Sequence, residues 1–285
     1  MESALAILGY VLAGLLMLMT GLAADIDEIR RGFTPGRRAL TLRMLVVNLL
    51  LIPALALISV RWLPSGGGIW TGVVLLALCP AAPMAPPLVT AADGDTSWAV
   101  ALLVPFVLIS TLLLLVYLPL AGSLWQTHSA TGRELSSIRL IVLMLPFLVP
   151  LAVGLALRII LLRKAASLLR LVRPLTKILI TLFMLTFFCV RFNELKEVTL
   201  SQLFAYAGFF IACGLLCGLF VGTVSRKILI TAVIMTTYRN FMAALVLCIP
   251  LGLSTRVQSD LLALSFVGLA VVALFVTTVS RFKTQ

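Results

Sequence analysis

Arg239 stands in the stretch MTTYRNF (235–241), flanked by Thr236, Thr237, Tyr238 and Asn240, inside an apolar run from about Lys227 to Leu251. Its guanidinium brings five donors, no acceptor and a permanent positive charge. Two kinds of chemistry suit such a group. Its planar fork can hold a carboxylate or sulfonate, or it can take the place of a bound cation beside backbone carbonyls at a helix C-terminus. A third reading is an incidental arginine that snorkels to the membrane surface. Counted from Ile228, Arg239 is the twelfth residue, ~17 Å along a helix and so near the middle of a hydrocarbon layer about 30 Å thick. A charge there costs several kcal/mol, and snorkelling has a long way to go. Asn48 and Thr90 are further polar side chains set in apolar sequence.

Little else offers reactive chemistry. The 10 acids (Glu2, Asp25, Asp27, Glu28, Asp93, Asp95, Glu134, Glu194, Glu197 and Asp260) fall in loops or at the ends of apolar segments. None is placed to neutralise Arg239, and proton coupling lacks a titratable group at a span centre. The single histidine, His128, lies in a loop, and the cysteines (Cys79, Cys189, Cys213, Cys217, Cys248) show no metal-ligand spacing with it. They read as small buried hydrophobes. No carboxylate pair, metal set or Ser–His arrangement supports catalysis, so no enzyme, catalytic residue, metal site or cofactor is expected.

The elements that must position Arg239 are membrane helices. The chain is 62% hydrophobic and 11% charged, against about a quarter charged in soluble domains. Its apolar blocks are long enough to cross a bilayer as helices. A barrel would show shorter, alternating segments. We read an all-α polytopic membrane protein, 1–285 as one transmembrane domain, with nine spans near 3–24, 39–60, 70–92, 97–121, 137–162, 174–191, 201–225, 228–251 and 258–280. The start lacks a positive n-region and reads as the first span.

Most basic residues then fall on one side: Arg30 to Arg43, Arg158 to Lys177, Arg226, Lys227, Arg281 and Lys283. Arg61, Arg133, Arg139, Arg191, Lys196 and Arg256 fall on the other. The positive-inside rule puts the N-terminus outside and the C-terminus in the cytoplasm. It also accounts for the net charge of +12 without nucleic acid. Short loops and a basic inner face fit a bacterial inner membrane. Oligomeric state leaves no trace in the sequence.

Two spans look broken. The third carries Pro80, Pro83, Pro86 and Pro87 within eight residues, and each proline removes a backbone donor and clashes one turn back. The eighth carries TTYRN at its centre. Non-helical backbone at this depth survives only inside protein or along a wet cavity, and paired broken spans mark the binding site of many secondary transporters.

Four stretches then resemble the bile acid:sodium symporter family and its wider superfamily. They are MLMTGLAADIDEIRRGF (17–33), VVNLLLIPALA (46–56), LCPAAPMAPPLVTAADGDTSWAVAL (78–102) and VIMTTYRNFMAALVL (233–247). The third is similar to the family's Cys-Pro-Gly-Gly-Thr-Ala-Ser-Asn segment, and the fourth to Ile-Glu-Val-Gly-Met-Gln-Asn. The resemblance implies two inverted five-helix repeats with the first helix missing, four spans plus five. The broken third and eighth spans would cross at mid-membrane. Spans 3–24, 137–162 and 174–191 would form a panel, the other six a core, and substrate would bind between them.

The sodium ligands do not carry over. By that alignment the family glutamate falls on Met235 and the glutamine on Arg239. Its Ser-Asn pair falls on Ala85 and Pro86, and the Ser and Thr of the next helix on Ala99 and Leu103. Asn240 and Asn48 survive. The expected function is a secondary transporter of a small organic anion or amphipathic acid, sodium-independent, working as a facilitator or exchanger. The expected site is Asn48, Thr90, Thr236, Thr237, Tyr238, Arg239 and Asn240 beside the four prolines. A non-transporting sensor or scaffold is the alternative. A metalloid exporter of the arsenite type, using Cys79, fits less well because Met242 stands where such exporters place an acid.

Overall fold

The computed structural model describes residues 2–24, 26–62, 69–80, 82–125, 137–222, 225–248, 251 and 253–281. Asp25, His128, Arg133, Glu134 and Lys283 lie outside the described residues, which are helical and contain no strand. In chain order the helices are α1 Glu2–Ala23, α2 Ile26–Gly32, α3 Pro35–Val46, a π-helical turn Val47–Leu51, α4 Ile52–Trp62, α5 Ile69–Leu78, α6 Ala85–Ala91 and α7 Thr96–Trp125. There follow α8 Ser137–Ile160, α9 Leu162–Val190, α10 Phe192–Leu195, α11 Leu200–Val221, α12 Arg226–Thr237, α13 Phe241–Cys248 and α14 Thr255–Arg281.

Among the described residues six helical segments are long and apolar enough to cross a membrane, or seven if α1 and α2 count as one bent span. Nine were expected. The third expected span is divided between α5 and α6, of 10 and 7 residues, neither long enough alone. The fifth lies in the 24-residue α8, of which Met144–Ile160 is an apolar stretch. Large apolar side chains such as Leu112 and Val116, with Phe204, Leu215, Leu219 and Leu274, lie exposed on the outside. Such a surface suits lipid and would be a liability in water, so the protein is integral to the membrane.

Two expected loops are helical instead. The basic segment before Pro174 continues straight into the following span as one 29-residue α9. Ala165, Val172 and Thr176 form its buried stripe, and a single proline removes only one helical bond. Residues 26–32 likewise form α2.

Packing explains several kinks. Pro53 has no N–H for the carbonyl of Leu49, four residues back, and the Tyr117 hydroxyl donates to that carbonyl at 2.9 Å. The π-helical turn sits at this point, as such bulges do where the ladder is disturbed. α1 packs on α8 and α9 and comes closest at two glycines. A Cβ on Gly154 would lie 2.5 Å from the Leu18 carbonyl, and one on Gly21 2.5 Å from the Leu151 carbonyl. Small residues permit this approach of backbones.

The turn between α6 and α7 is fixed at its ends. Asp93 takes a left-handed conformation at φ 61°, which Asp tolerates better than most residues. The Asp95 carboxylate accepts the Trp98 N–H and caps α7 while pairing with Arg37 at 2.9 Å. The Asp95 N–H donates to the Thr231 hydroxyl on α12. This turn therefore binds the first broken helix to the second.

Candidate functional site

The chain is broken twice, and the breaks meet. α5 ends at Leu78 and α6 begins at Ala85; α12 ends at Thr237 and α13 begins at Phe241. α5 packs against α13, and α6 against α12, so the first half of each broken helix lies beside the second half of the other. Two backbone bonds tie the breaks together: Ala82 N–H to Tyr238 O at 3.3 Å and Asn240 N–H to Cys79 O at 3.0 Å. Backbone groups freed from helix are thus satisfied by each other, as a site away from water requires.

Pro80 and Pro83 lie in the first break, and Pro86 and Pro87 open α6. Asn240 opens α13 as its cap, its side-chain oxygen accepting the Ala243 N–H at 3.2 Å. An Asn in this position fills an orphan donor of the new helix.

Arg239 lies at the second break and is 2% exposed. Its Nη1 donates to the carbonyl of Ala77, in the last turn of α5, at 3.4 Å. The side chain also lies against the Cys213 thiol, with Cys79 and Cys217 nearby. Nε and Nη2 have no partner. The cation therefore meets the negative end of a broken helix and soft sulfur atoms, with no carboxylate among its described neighbours.

Asn48 is fully buried at the π-helical turn. Its amide donates to Met44 O at 3.1 Å and to the Thr236 hydroxyl at 3.0 Å, linking this helix to α12. Its oxygen has no partner. Thr237 and Tyr238 complete the second break, so Asn48, Thr236, Thr237, Tyr238, Arg239 and Asn240 do gather there. Thr90 does not. It sits near the end of α6, donates to Pro86 O and bonds Thr96, because six helical residues carry it away from the break.

The aligned ligand positions are packed apolar residues: Ala85, Ala99 and Met235 are fully buried, and Leu103 nearly so. A hard cation wants several oxygens, and a buried guanidinium repels it. The side chains at these positions offer sodium no oxygen. Among the described residues no three His, Cys, Asp or Glu side chains gather as a metal site.

Sequence reading missed four features. Asp260, placed at a span end, is buried at 2% exposure. It faces Tyr206 and Arg256 rather than Arg239, and one of its oxygens has no partner. Three successive polar residues, Gln258, Ser259 and Asp260, were the available signal. Arg191, placed at the outer end of the span 174–191, is also buried and donates to Gln258 at 2.9 Å. Two adjoining cavities lie beside the breaks on the α9 side. One of about 620 Å³ touches Leu16, Tyr238, Asn240 and Met184. The other, of about 350 Å³, touches Thr20, Pro86, Pro87 and Arg173. Arg239 lines neither. The last missed feature is Lys177, which lines both.

Residues 10–198 match the profile described as the Sodium Bile acid symporter family. The match runs from α1 through α10, and the second break with Arg239 lies beyond it. No curated protein matches the chain.

Proposed function

The chain belongs to the sodium bile acid symporter family, and from that premise we propose that it is a secondary transporter moving a small organic anion or amphipathic acid by alternating access without sodium. The observation that carries the sodium-free part is the Arg239–Ala77 contact, set among apolar residues where the family resemblance calls for ion ligands. A resident guanidinium neutralises the helix end that a cation would otherwise neutralise, and it is always present. Its burial away from both cavities favours this role over direct binding of the substrate.

In the same reading all nine expected spans cross the membrane as an inverted repeat of four and five. α1, α8 and α9 form the panel, and the helices around the breaks form the core. The cavities between α1, α9 and the breaks take the substrate. The N-terminus lies outside, and the cell is bacterial with the protein in its inner membrane. Large cavities beside polar backbone favour transport over a sensor or scaffold.

The test is the melting temperature of the purified protein in sodium, potassium and choline chloride at equal ionic strength. A ligand of the folded state raises stability by RT ln(1 + [L]/Kd). Equal melting in the three salts is expected. A rise specific to sodium would overturn the sodium-free reading. Uptake into proteoliposomes, with and without a sodium gradient, tests transport itself.

A further inference from the structure

The two cavities beside the breaks share Pro83, Met84, Lys177 and Ile180, so they adjoin along α9. Their charged lining residues are Arg173 and Lys177, and no Asp or Glu lines either. The two cations are four residues apart on α9 and project from one face. Among the described residues no carboxylate pairs with either. Most of the remaining wall is apolar, including Met184, Phe188, Phe241 and Phe266.

Two other sources of positive charge do not reach the cavities. Arg239 faces away, bonded to Ala77. The start of α6 carries Pro86 and Pro87, which have no N–H to offer. An unpaired ammonium against low-dielectric walls focuses its field into the cavity, while its stem covers apolar surface.

We propose that Lys177, backed by Arg173, is the charge-selecting element of this cavity. The acidic end of the substrate docks on α9, and its apolar body extends past Met184 toward Phe241. This rests on the transport reading above for the word substrate, but the site itself is a matter of binding. The competing account is that both residues are ordinary basic side chains at the cytoplasmic end of a span, attracted to lipid headgroups. Arg170 serves as the control: it lies on the same helix, is exposed, donates to Ser167 and lines neither cavity.

The experiment uses the full chain in a non-ionic detergent free of anionic lipid. Octanoate and octanol are titrated separately, and binding is read from the shift in melting temperature. Octanoate is expected to bind more tightly than octanol. Lys177→Gln should weaken octanoate about fivefold, the scale of a partly exposed charge pair, and leave octanol unchanged. Lys177→Arg should retain the preference, and Lys177→Glu should transfer it to octyltrimethylammonium. Lys177 is exposed, so these variants should fold. Equal binding of octanoate and octanol overturns the proposal, as does an equal loss in Arg170→Gln. Uptake into proteoliposomes separates the two readings. Lys177-dependent binding without uptake refutes transport and leaves the site. Uptake with unchanged anion preference in Lys177→Gln refutes the site and leaves transport.

Discussion

Arg239 donates through Nη1 to the Ala77 carbonyl at 3.4 Å, so the side chain of the second break reaches the last turn of the helix that precedes the first. One residue thereby joins the two interruptions through its side chain, while its neighbours Tyr238 and Asn240 join them through the backbone. The cation and the crossing are a single feature of the fold.

Removing that cation should loosen the crossing and free the place of an ion. Arg239→Met leaves the Ala77 carbonyl without its partner, and a loss of ~1–3 kcal/mol is expected in denaturant or thermal unfolding. Arg239→Gln combined with Met235→Glu supplies oxygens to the same space. That double variant should melt higher in sodium than in choline. No sodium effect in it would show that Arg239 does not stand where an ion could sit.

The α1–α8 contact tolerates no side chain at its centre. A Cβ on Gly154 meets backbone at 2.5 Å, and backbone cannot rotate aside as a side chain can. Gly154→Ala should therefore cost ~1–3 kcal/mol, the range for overpacking. Gly36, where a Cβ would meet nothing within 4 Å, is the control; Gly36→Ala should fall within about 0.5 kcal/mol of the parent.

Tyr117 replaces a bond that Pro53 cannot make. Tyr117→Phe removes the hydroxyl donor from the Leu49 carbonyl with little change in shape, at a cost of ~1–3 kcal/mol. The double variant Tyr117→Phe with Pro53→Ala restores a main-chain donor four residues on. It should recover part of the loss; failure to recover any would show that the hydroxyl acts elsewhere.

Arg191 holds the end of α9 to α14 through Gln258, and Arg256 adds an ion pair to Glu197 at 3.6 Å. On the proposed panel-and-core arrangement these bonds would close its outer end. Arg191→Ala should shift the population toward an outward-open form. In a Cys189→Ser background, a cysteine placed at Met184 in the larger cavity should then react faster with an impermeant maleimide added outside. An unchanged rate would mean that this contact does not restrain opening.

Part of the site was legible because it depends on local chemistry. Four prolines from 80 to 87 remove four donors and add four clashing rings within eight residues, and these are properties of the residue wherever it folds; a lone proline such as Pro174 leaves its helix continuous. The polar run from Thr236 to Asn240 is equally hard to leave in lipid. Thr90 misled because membership of a broken segment says nothing about distance from the break; α6 regains its helical rise and carries that side chain away.

The membrane class, the two interruptions and the isolation of Arg239 from acidic residues follow from the sequence alone, because hydropathy, proline and charge act over a few residues. Only the tertiary structure decides what Arg239 meets. Ala77 is distant in the chain and is brought near by the antiparallel crossing, which pairs α5 with α13 and α6 with α12. The same is true of Lys177 and Arg173. In the sequence they are two more basic residues at the end of a span. They come to face a cavity because α9 packs on α1, and side-chain direction on a helix is fixed by the neighbours it packs against, which no local pattern records.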